Sequence, residues 1–379
     1  MSHEQLITFN RSSTIGKEFQ YIAETLLVGQ IAGDQTFTRK CHQLFESKLG
    51  VAKALLTTSC THALEMSALL LNIQPGDEVI VPAFTFVSTA NAFALRGARI
   101  VFADIRPDTI NLDEQQLTRL ITPRTKALVV VHYAGVACAM EPILAICRKH
   151  GISVVEDNAH GLFGRYQGKP LGTLGCLSTL SFHETKNFTC GEGGALLIND
   201  PQYIERAEII REKGTNRSRF FRGQVDKYTW VDVGSSYLIS DVLAAFLFAQ
   251  LERSEEIQSK RRVIWNRYNS ELQDWASKHH VQLPHVPEDC DQAYHMYYLV
   301  MPSLEKRQSL IAYLRSHNII SVFHYQSLHL SDMGKKYGGK PGDCPVTERM
   351  SDCLLRLPFF NDMSVDQQFR VINAIKQWK

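Results

Sequence analysis

Four short β-rich runs, Glu78-Val79-Ile80-Val81, Arg99-Ile100-Val101-Phe102-Ala103, Ala127-Leu128-Val129-Val130-Val131 and Ile152-Ser153-Val154-Val155, are each bounded by Gly, Pro or charged turns. Between them, segments such as Asp113 to Leu120 and Glu141 to His150 repeat apolar residues at three and four, the helical period. Strand and helix in alternation mean βαβ units. The chain is therefore predicted to be α/β, with a mostly parallel sheet covered on both faces.

At 379 residues the chain exceeds the roughly 250–300 at which one core stops growing, so two domains are expected. After Asp200 the texture changes. A polar, Arg-rich stretch, Arg211 to Trp230, precedes a helical pattern that runs unbroken from about Ser240 to Trp275. Strand candidates follow at Tyr297–Met301 and Ile319–Phe323. This pattern places a large α/β domain at 1–250 and a smaller C-terminal α+β domain at 251–379.

Several function classes are disfavoured. A net charge of +2 with no block of Lys or Arg gives no field for nucleic acid. The longest nearly apolar run, Val242 to Ala249, is far short of the ~20 residues that span a bilayer and is expected to be a buried helix. The segment Met1-Ser2-His3-Glu4-Gln5 lacks a basic region followed by an apolar core, so no secretory signal is expected. Nine scattered cysteines without a C-x-x-C pair argue against a disulfide framework or zinc site, and the expected location is cytoplasmic. His183-Glu184 lacks the second histidine of H-E-x-x-H, so no metal is expected.

The chemistry is concentrated in Ser181-Phe182-His183-Glu184-Thr185-Lys186-Asn187, leading into Gly191-Glu192-Gly193-Gly194. It sets a lysine on a glycine-flanked turn, where backbone approaches a ligand closely. Lysine condenses reversibly with an aldehyde, which makes Lys186 a candidate anchor for pyridoxal 5'-phosphate (PLP). In parallel sheets ligands bind beyond the carboxyl ends of strands. There, Glu156-Asp157-Asn158-Ala159-His160 offers an acid able to ligate a metal, bind a ribose, cap a helix or face a pyridine nitrogen. Asp157 and Lys186 stand 29 residues apart, enough for one intervening β unit.

A phosphate needs backbone N–H groups at a helix start, and Thr57 to Met66 supplies a Ser/Thr-rich turn before a helix-forming run. Ser181 adds a hydroxyl for the same phosphate. Phe86, in an aromatic segment directly after a strand, is a candidate to stack on the cofactor.

Together these segments resemble the DegT/DnrJ family of sugar aminotransferases, PLP enzymes of the aspartate aminotransferase fold (fold type I). The likeness covers nearly the whole chain. It runs through Thr36-Phe37-Thr38-Arg39, Ser59 to Leu64, Gln74 to Val79, Thr85 to Thr89, Val131 to Gly135, Glu156 to His160, Ser181-Phe182-His183-x-x-Lys186-Asn187 and Gly191 to Gly194. The resemblance implies that Lys186 binds the cofactor covalently and shuttles protons, that Asp157 meets the pyridine nitrogen, and that Phe86 stacks on the ring. It also implies that the backbone at Cys60-Thr61 and the Ser181 hydroxyl hold the phosphate, with His160 packed near the ring. Many members carry Gly where Cys60 stands. Many also have, in the segment matching Gly234 to Leu238, an Asn that reaches the neighbouring subunit's phosphate; that Asn is absent here, and Ser236 and Tyr237 are the candidates to replace it.

The family resemblance further implies a homodimer or higher homo-oligomer, L-glutamate as donor and a nucleotide-linked keto-sugar as acceptor. Arg217, Arg219, Arg222 and Lys227 are candidates for the nucleotide diphosphate, and Tyr228 or Trp230 for the base or sugar. His324 and His329 join the substrate set. The segments Glu208 to Arg217, Phe220 to Trp230, Phe323-His324-Tyr325 and Leu328-His329 direct the expectation to the C4 ketone of dTDP-4-dehydro-6-deoxy-D-glucose. The alternatives are another keto-sugar aminated at C3 or C4, or a PLP-dependent sugar dehydratase; the latter resembles a version with histidine at the lysine position.

Overall fold

Runs of apolar, β-branched residues fold into seven central strands numbered along the chain: β1 (Lys53–Thr57), β2 (Glu78–Pro82), β3 (Arg99–Ala103), β4 (Thr125–Val131) and β5 (Ser153–Asp157), then, after the short β6 (Arg165–Tyr166) and β7 (Lys169–Pro170), β8 (Leu177–Ser181) and β9 (Gly194–Ile198). The computed structural model describes residues 5–379; Met1 to Glu4, which supply most of the segment read for a secretory pattern, lie outside the described residues.

The sheet order is β1-β9-β8-β5-β4-β2-β3. Pairings β2–β3, β2–β4, β4–β5 and β5–β8 are parallel, as expected of βαβ units. At one edge β8–β9 and β9–β1 are antiparallel. Helix Cys60–Leu70 packs Ala63, Leu64 and Met66 against one sheet face, while Met140, Ile143 and Cys147 of helix Met140–His150 cover the other. This double cover is why these strands read as continuous apolar runs rather than alternating ones.

The helical pattern expected from Ser240 to Trp275 is two helices, Asp241–Glu252 and Ser254–Lys278. Arg253, at φ −106° and ψ 24°, leaves the helical region between them. The buried Ser254 hydroxyl accepts from Lys48 Nζ at 2.9 Å, so a tertiary contact occupies the point where the axis turns. The run Val242 to Ala249 lies inside the first helix, with Ala244, Ala245, Leu247 and Ala249 buried. Residue 250 falls in that helix's last turn.

A second sheet joins β11 (Tyr298–Val300), β12 (Val322–Phe323) and β13 (Leu354–Arg356) in the order β11-β13-β12, while β10 (Cys290–Asp291) pairs with β6. The strand expected at Ile319–Phe323 is shorter than its apolar pattern. Its first residues are held instead by Ile7, which donates to the Asn318 carbonyl and accepts from the Ile320 N–H. Trp265, Tyr268, Tyr297, Leu355 and Ile372 fill the core beneath this sheet.

Among the described residues no helix is long and apolar enough to cross a membrane, and no group of three or more potential ligands gathers around a metal position. All nine cysteines are free thiols.

Candidate active site

A cleft of about 780 Å³ opens where the carboxyl ends of β5 and β8, the start of helix Cys60–Leu70 and the edge of the second sheet converge. It gathers all seven residues expected to hold the cofactor: Cys60, Thr61, Phe86, Asp157, His160, Ser181 and Lys186. These come from four separate stretches of sequence.

Lys186 stands in the loop joining β8 to β9. That loop closes on itself through Phe182 N–H to the Gly193 carbonyl at 2.8 Å and Cys190 N–H to the Phe182 carbonyl at 3.0 Å. Withdrawal from water brings the Lys186 ammonium down to a pKa of about 8, against the opposing pull of Cys60 and Asp157. A substantial fraction of the amine is therefore neutral near physiological pH, as a nucleophile and proton carrier requires.

Asp157 ends β5 and is 6% exposed. Thr89 donates to its Oδ2 at 2.7 Å, and Thr85 Oγ1 lies 2.7 Å from Thr89 Oγ1. The Ala159 N–H reaches Oδ1 at 3.3 Å. Burial pushes the carboxyl's pKa up, while the Thr89 hydrogen bond and the Lys186 charge pull it down. A cationic group placed against it would complete the compensation that burial demands.

On the phosphate side, Ser59 caps helix Cys60–Leu70 by accepting from the His62 N–H at 3.1 Å. The amides of Cys60 and Thr61, first in the helix, have no intrahelical carbonyl to meet and bear the positive end of its dipole. Gly194 lies against this turn so closely that a Cβ there would come within 2.3 Å of the Ser59 carbonyl carbon and 2.4 Å of Cys60 N. Only a bare backbone fits between β9 and the helix start. An anion cradle, a buried carboxylate and a lysine of lowered pKa in one cleft fit PLP at its phosphate, ring nitrogen and aldehyde respectively.

Phe86 stands at the N-cap position of the next helix, Val87–Ala94, and is 56% exposed, which leaves it open to a planar ligand. His160 is buried, its Nδ1 without a partner. Its ring lies on that of His295, which is bonded through Nδ1 to Asn187 Oδ1 at 2.8 Å. Asn187 in turn donates to the Ala293 carbonyl at 2.7 Å, fixing the residue next to Lys186.

The substrate candidates divide. His324 lines the cleft, with Nδ1 2.7 Å from the Tyr133 hydroxyl. His329 does not. The turn Leu328–Leu330 points it inward, where it is fully buried with Nε2 3.0 Å from Glu348 Oε1, and this corrects its expected place in the substrate set. Arg217, Arg219, Arg222, Lys227, Tyr228 and Trp230 also stand outside the cleft of their own chain, on a segment where Trp230 is 76% exposed. Three of them face glutamates: Arg217 to Glu212 at 3.3 Å, Arg219 to Glu205 at 2.7 Å and Arg222 to Glu208 at 2.8 Å. Of these only Arg219–Glu205 is exposed on both sides and so contributes little, whereas Glu212 and Glu208 are largely withdrawn from water. Of the two candidates to replace the absent Asn, Tyr237 is buried against its own chain, its carbonyl accepting from the Thr58 N–H, whereas Ser236 is exposed.

Sequence reasoning did not single out Thr89, His295, Arg261 or Arg356. Thr89 lies three residues after Phe86, one helical turn away, and that spacing was the available signal. The other three lie in the C-terminal part, where no motif marks them.

The model of the DegT/DnrJ/EryC1/StrS aminotransferase family matches residues 13–376. The spore coat polysaccharide biosynthesis protein SpsC of Bacillus subtilis is 33% identical over 371 residues, 96% of this chain and 94% of that protein. The solved structure of the aminotransferase TlmJ from Streptoalloteichus hindustanus superposes with a TM-score of 0.89 at 30% identity, covering 98% of each chain. Spr1654 from Streptococcus pneumoniae, solved in its PLP-form, superposes with a TM-score of 0.90 at 26% identity, again covering 98% of each chain.

Proposed function

Since the chain belongs to the DegT/DnrJ/EryC1/StrS aminotransferase family and is a PLP-dependent sugar aminotransferase of fold type I, we propose a specific reaction for it. It moves the amino group of L-glutamate to the C4 ketone of dTDP-4-dehydro-6-deoxy-D-glucose, giving dTDP-4-amino-4,6-dideoxy-D-galactose for enterobacterial common antigen. Its segments Glu208 to Arg217, Phe220 to Trp230 and Phe323 to Tyr325 resemble the enterobacterial enzyme of that activity, dTDP-4-amino-4,6-dideoxygalactose transaminase. The observation that carries the amino-transfer reading is the meeting of Lys186, Asp157 and the open helix start in one cleft.

Bound in that cleft, PLP supplies an aldehyde that takes up and returns an amino group, and a ring that withdraws electrons from the carbon losing its proton. Lys186 Nζ anchors it and carries the proton from the donor's α-carbon, then delivers one to sugar C4 in the second half of the cycle. Asp157 keeps positive charge on the ring nitrogen. The Cys60 and Thr61 amides with the Ser181 hydroxyl would hold its phosphate, and Phe86 and His160 would pack near its ring. His324 lines the acceptor's approach. L-Glutamate leaves as 2-oxoglutarate.

The Arg-rich segment is assigned to the nucleotide diphosphate, with Tyr228 and Trp230 for the base or sugar. Because it stands outside its own cleft, it serves the cleft of a second copy, which makes the enzyme at least a homodimer. The exposed Phe221, Tyr228, Trp230 and Val231 are the kind of apolar surface that such a neighbour or a nucleotide covers. Nine free thiols suit a reducing, cytoplasmic setting.

The test is a visible spectrum of the purified holoenzyme, titrated with L-glutamate and then with the keto-sugar. Bleaching by the first and recovery by the second is the expected result. Bleaching without recovery would discard this acceptor and leave another nucleotide-linked keto-sugar; no bleaching would discard the donor.

A further inference from the structure

Glu156 and Asp157 are neighbours on β5, and their side chains leave the strand on opposite faces. Glu156 is fully buried and fully engaged. Its Oε2 lies 2.9 Å from His132 Nε2 and accepts from the Gly172 N–H at 2.8 Å, while Oε1 accepts from the Leu174 and Gly175 N–H groups at 2.7 and 2.6 Å. Four partners occupy all the lone pairs of a carboxylate, so Glu156 ties the end of β5 to the turn at 172–175 and offers nothing to a ligand. Asp157, which lines the cleft, is engaged mainly on one oxygen. Oδ2 takes the short bond from Thr89, whereas Oδ1 has only the long contact with the Ala159 N–H and the Cys60 thiol 4.0 Å away.

The direction of the bonds behind Asp157 follows from its charge. A carboxylate only accepts, so the single proton of the Thr89 hydroxyl is committed to Oδ2. The 2.7 Å separation of Thr85 Oγ1 from Thr89 Oγ1 then has one assignment: Thr85 donates and Thr89 accepts. Both threonines are buried, Thr89 in the first turn of helix Val87–Ala94 and Thr85 just ahead of it. A helical threonine commonly turns its hydroxyl back to a carbonyl three or four residues earlier; this one points at the carboxylate instead. Two hydroxyls in series polarise one another, and each strengthens the next bond.

We propose that Thr89, backed by Thr85, is a positioning residue for the reaction: it holds Asp157 as an ionised acceptor with Oδ1 free toward the cleft, so that a proton shared with the cofactor's ring nitrogen stays on the nitrogen. The inference rests on the PLP reading of the cleft. A hydrogen bond to the charged form of an acid favours that form. After burial, the Thr89 hydrogen bond acts on Asp157 more strongly than the Lys186 charge does. The other titratable groups that act on Asp157 are His132, Cys60 and Tyr325. His132 is bonded to Glu156, and burial makes Cys60 and Tyr325 keep their protons. Stripped of Thr89, the buried carboxylate becomes the stronger base and draws the shared proton to itself. The ring then loses the charge with which it withdraws electrons.

The experiment loads the protein with PLP whose ring nitrogen is isotopically labelled for NMR, and compares T89V, T89S and T85V with the wild type. The nitrogen resonance reports protonation of the ring, and the rate and half-saturating concentration of L-glutamate for bleaching the visible band are measured alongside. T89V, which keeps the shape of the side chain, is expected to move the resonance from the protonated toward the neutral position. It should also slow bleaching roughly 10- to 100-fold, with the half-saturating concentration little changed. T89S keeps the hydroxyl and is expected to restore the wild-type resonance. T85V leaves Thr89 on Asp157 and is expected to give a smaller movement in the same direction; it carries the test if T89V fails to fold. A resonance that stays at the wild-type position in whichever of T89V and T85V fold, or one that T89S moves as far as T89V, overturns the assignment. A wild-type nitrogen that is itself unprotonated instead overturns the pairing of Asp157 with the ring, whatever the variants do.

Discussion

The imidazole of His160 lies nearly flat on that of His295, with ring centroids 4.2 Å apart and planes 16° from parallel. Both rings are buried, and burial first, then neighbouring positive charge, holds each well below the usual histidine pKa of 6.5. His324, 6.1 Å from His160, is held down in the same way. A stack of neutral rings is thus built into the wall behind Lys186, and protonating one would set a charge against its neighbours.

Stability should therefore depend on pH in a defined direction. These histidines take protons more readily in the unfolded chain, so stability is fully present above about pH 6.5 and is lost as pH falls below it, each proton costing ~1.4 kcal/mol per pH unit. Thermal unfolding of the apo-protein across pH 5 to 8 checks this. A Tm that holds steady to pH 5 would show that the rings are solvated.

Lys186→Ala should abolish transamination, with a loss of at least about 10⁴-fold, while PLP still binds noncovalently. The variant's rate and its retained phosphate-bound cofactor are measured together. Substantial residual turnover would remove Lys186 from the mechanism.

For Asp157→Asn the expected loss of rate is on the order of 10²–10³-fold, with a much smaller loss of cofactor, because the change removes a fixed charge but keeps a polar group beside Thr89. Single-turnover rates and PLP titration separate the two effects. An unchanged rate would mean that another group supplies the charge.

Gly194→Ala probes the phosphate cradle without touching a side chain. The added methyl has no room against Ser59 and Cys60, so strand and helix start must part; a stability loss of roughly 1–3 kcal/mol is expected. PLP affinity should fall by about tenfold or more. A fully stable variant with normal affinity would show that the cradle yields freely.

Mixing Lys186→Ala with a variant bearing alanine at Arg217, Arg219 and Arg222 tests whether the Arg-rich segment serves a second copy. Each should be inactive alone, and exchanged dimers should recover up to about one quarter of full activity, since half are mixed and each then has one intact site. No recovery, despite proven exchange, would confine the segment to its own chain.

Most of the sheet was legible because its strands, buried on both faces, read as apolar runs between turns. The cofactor wall was legible for a related reason: residues at strand ends carry their chemistry in local strings, as Asp157 and Lys186 do. Arg253 was missed because the apolar repeat continues through it, and the break is made by Lys48 meeting Ser254 from elsewhere in the chain. Ile319 was read into a strand because its pattern does not reveal that Ile7 satisfies the backbone there. His329 shared a motif with His324, and no spacing rule tells which of the two a short turn sends inward. Arg356 gives no signal at all in sequence, since an arginine becomes notable only when the fold sets it in a cleft.

The hydrogen-bonded partner of β1 is β9, with Thr57 opposite Gly194, and not the strand that follows it in sequence. Every wall of the cleft is thus supplied by a stretch distant from the others, the last by Arg356. Such a topology is slow to assemble, because long loops must close before any of these contacts forms. A chain emerging from the ribosome has no fragment able to hold the cofactor, so cofactor cannot act as a template for early folding. It acts afterwards as a latch, favouring the finished molecule by mass action and slowing its loss in proportion to how fully the site is occupied.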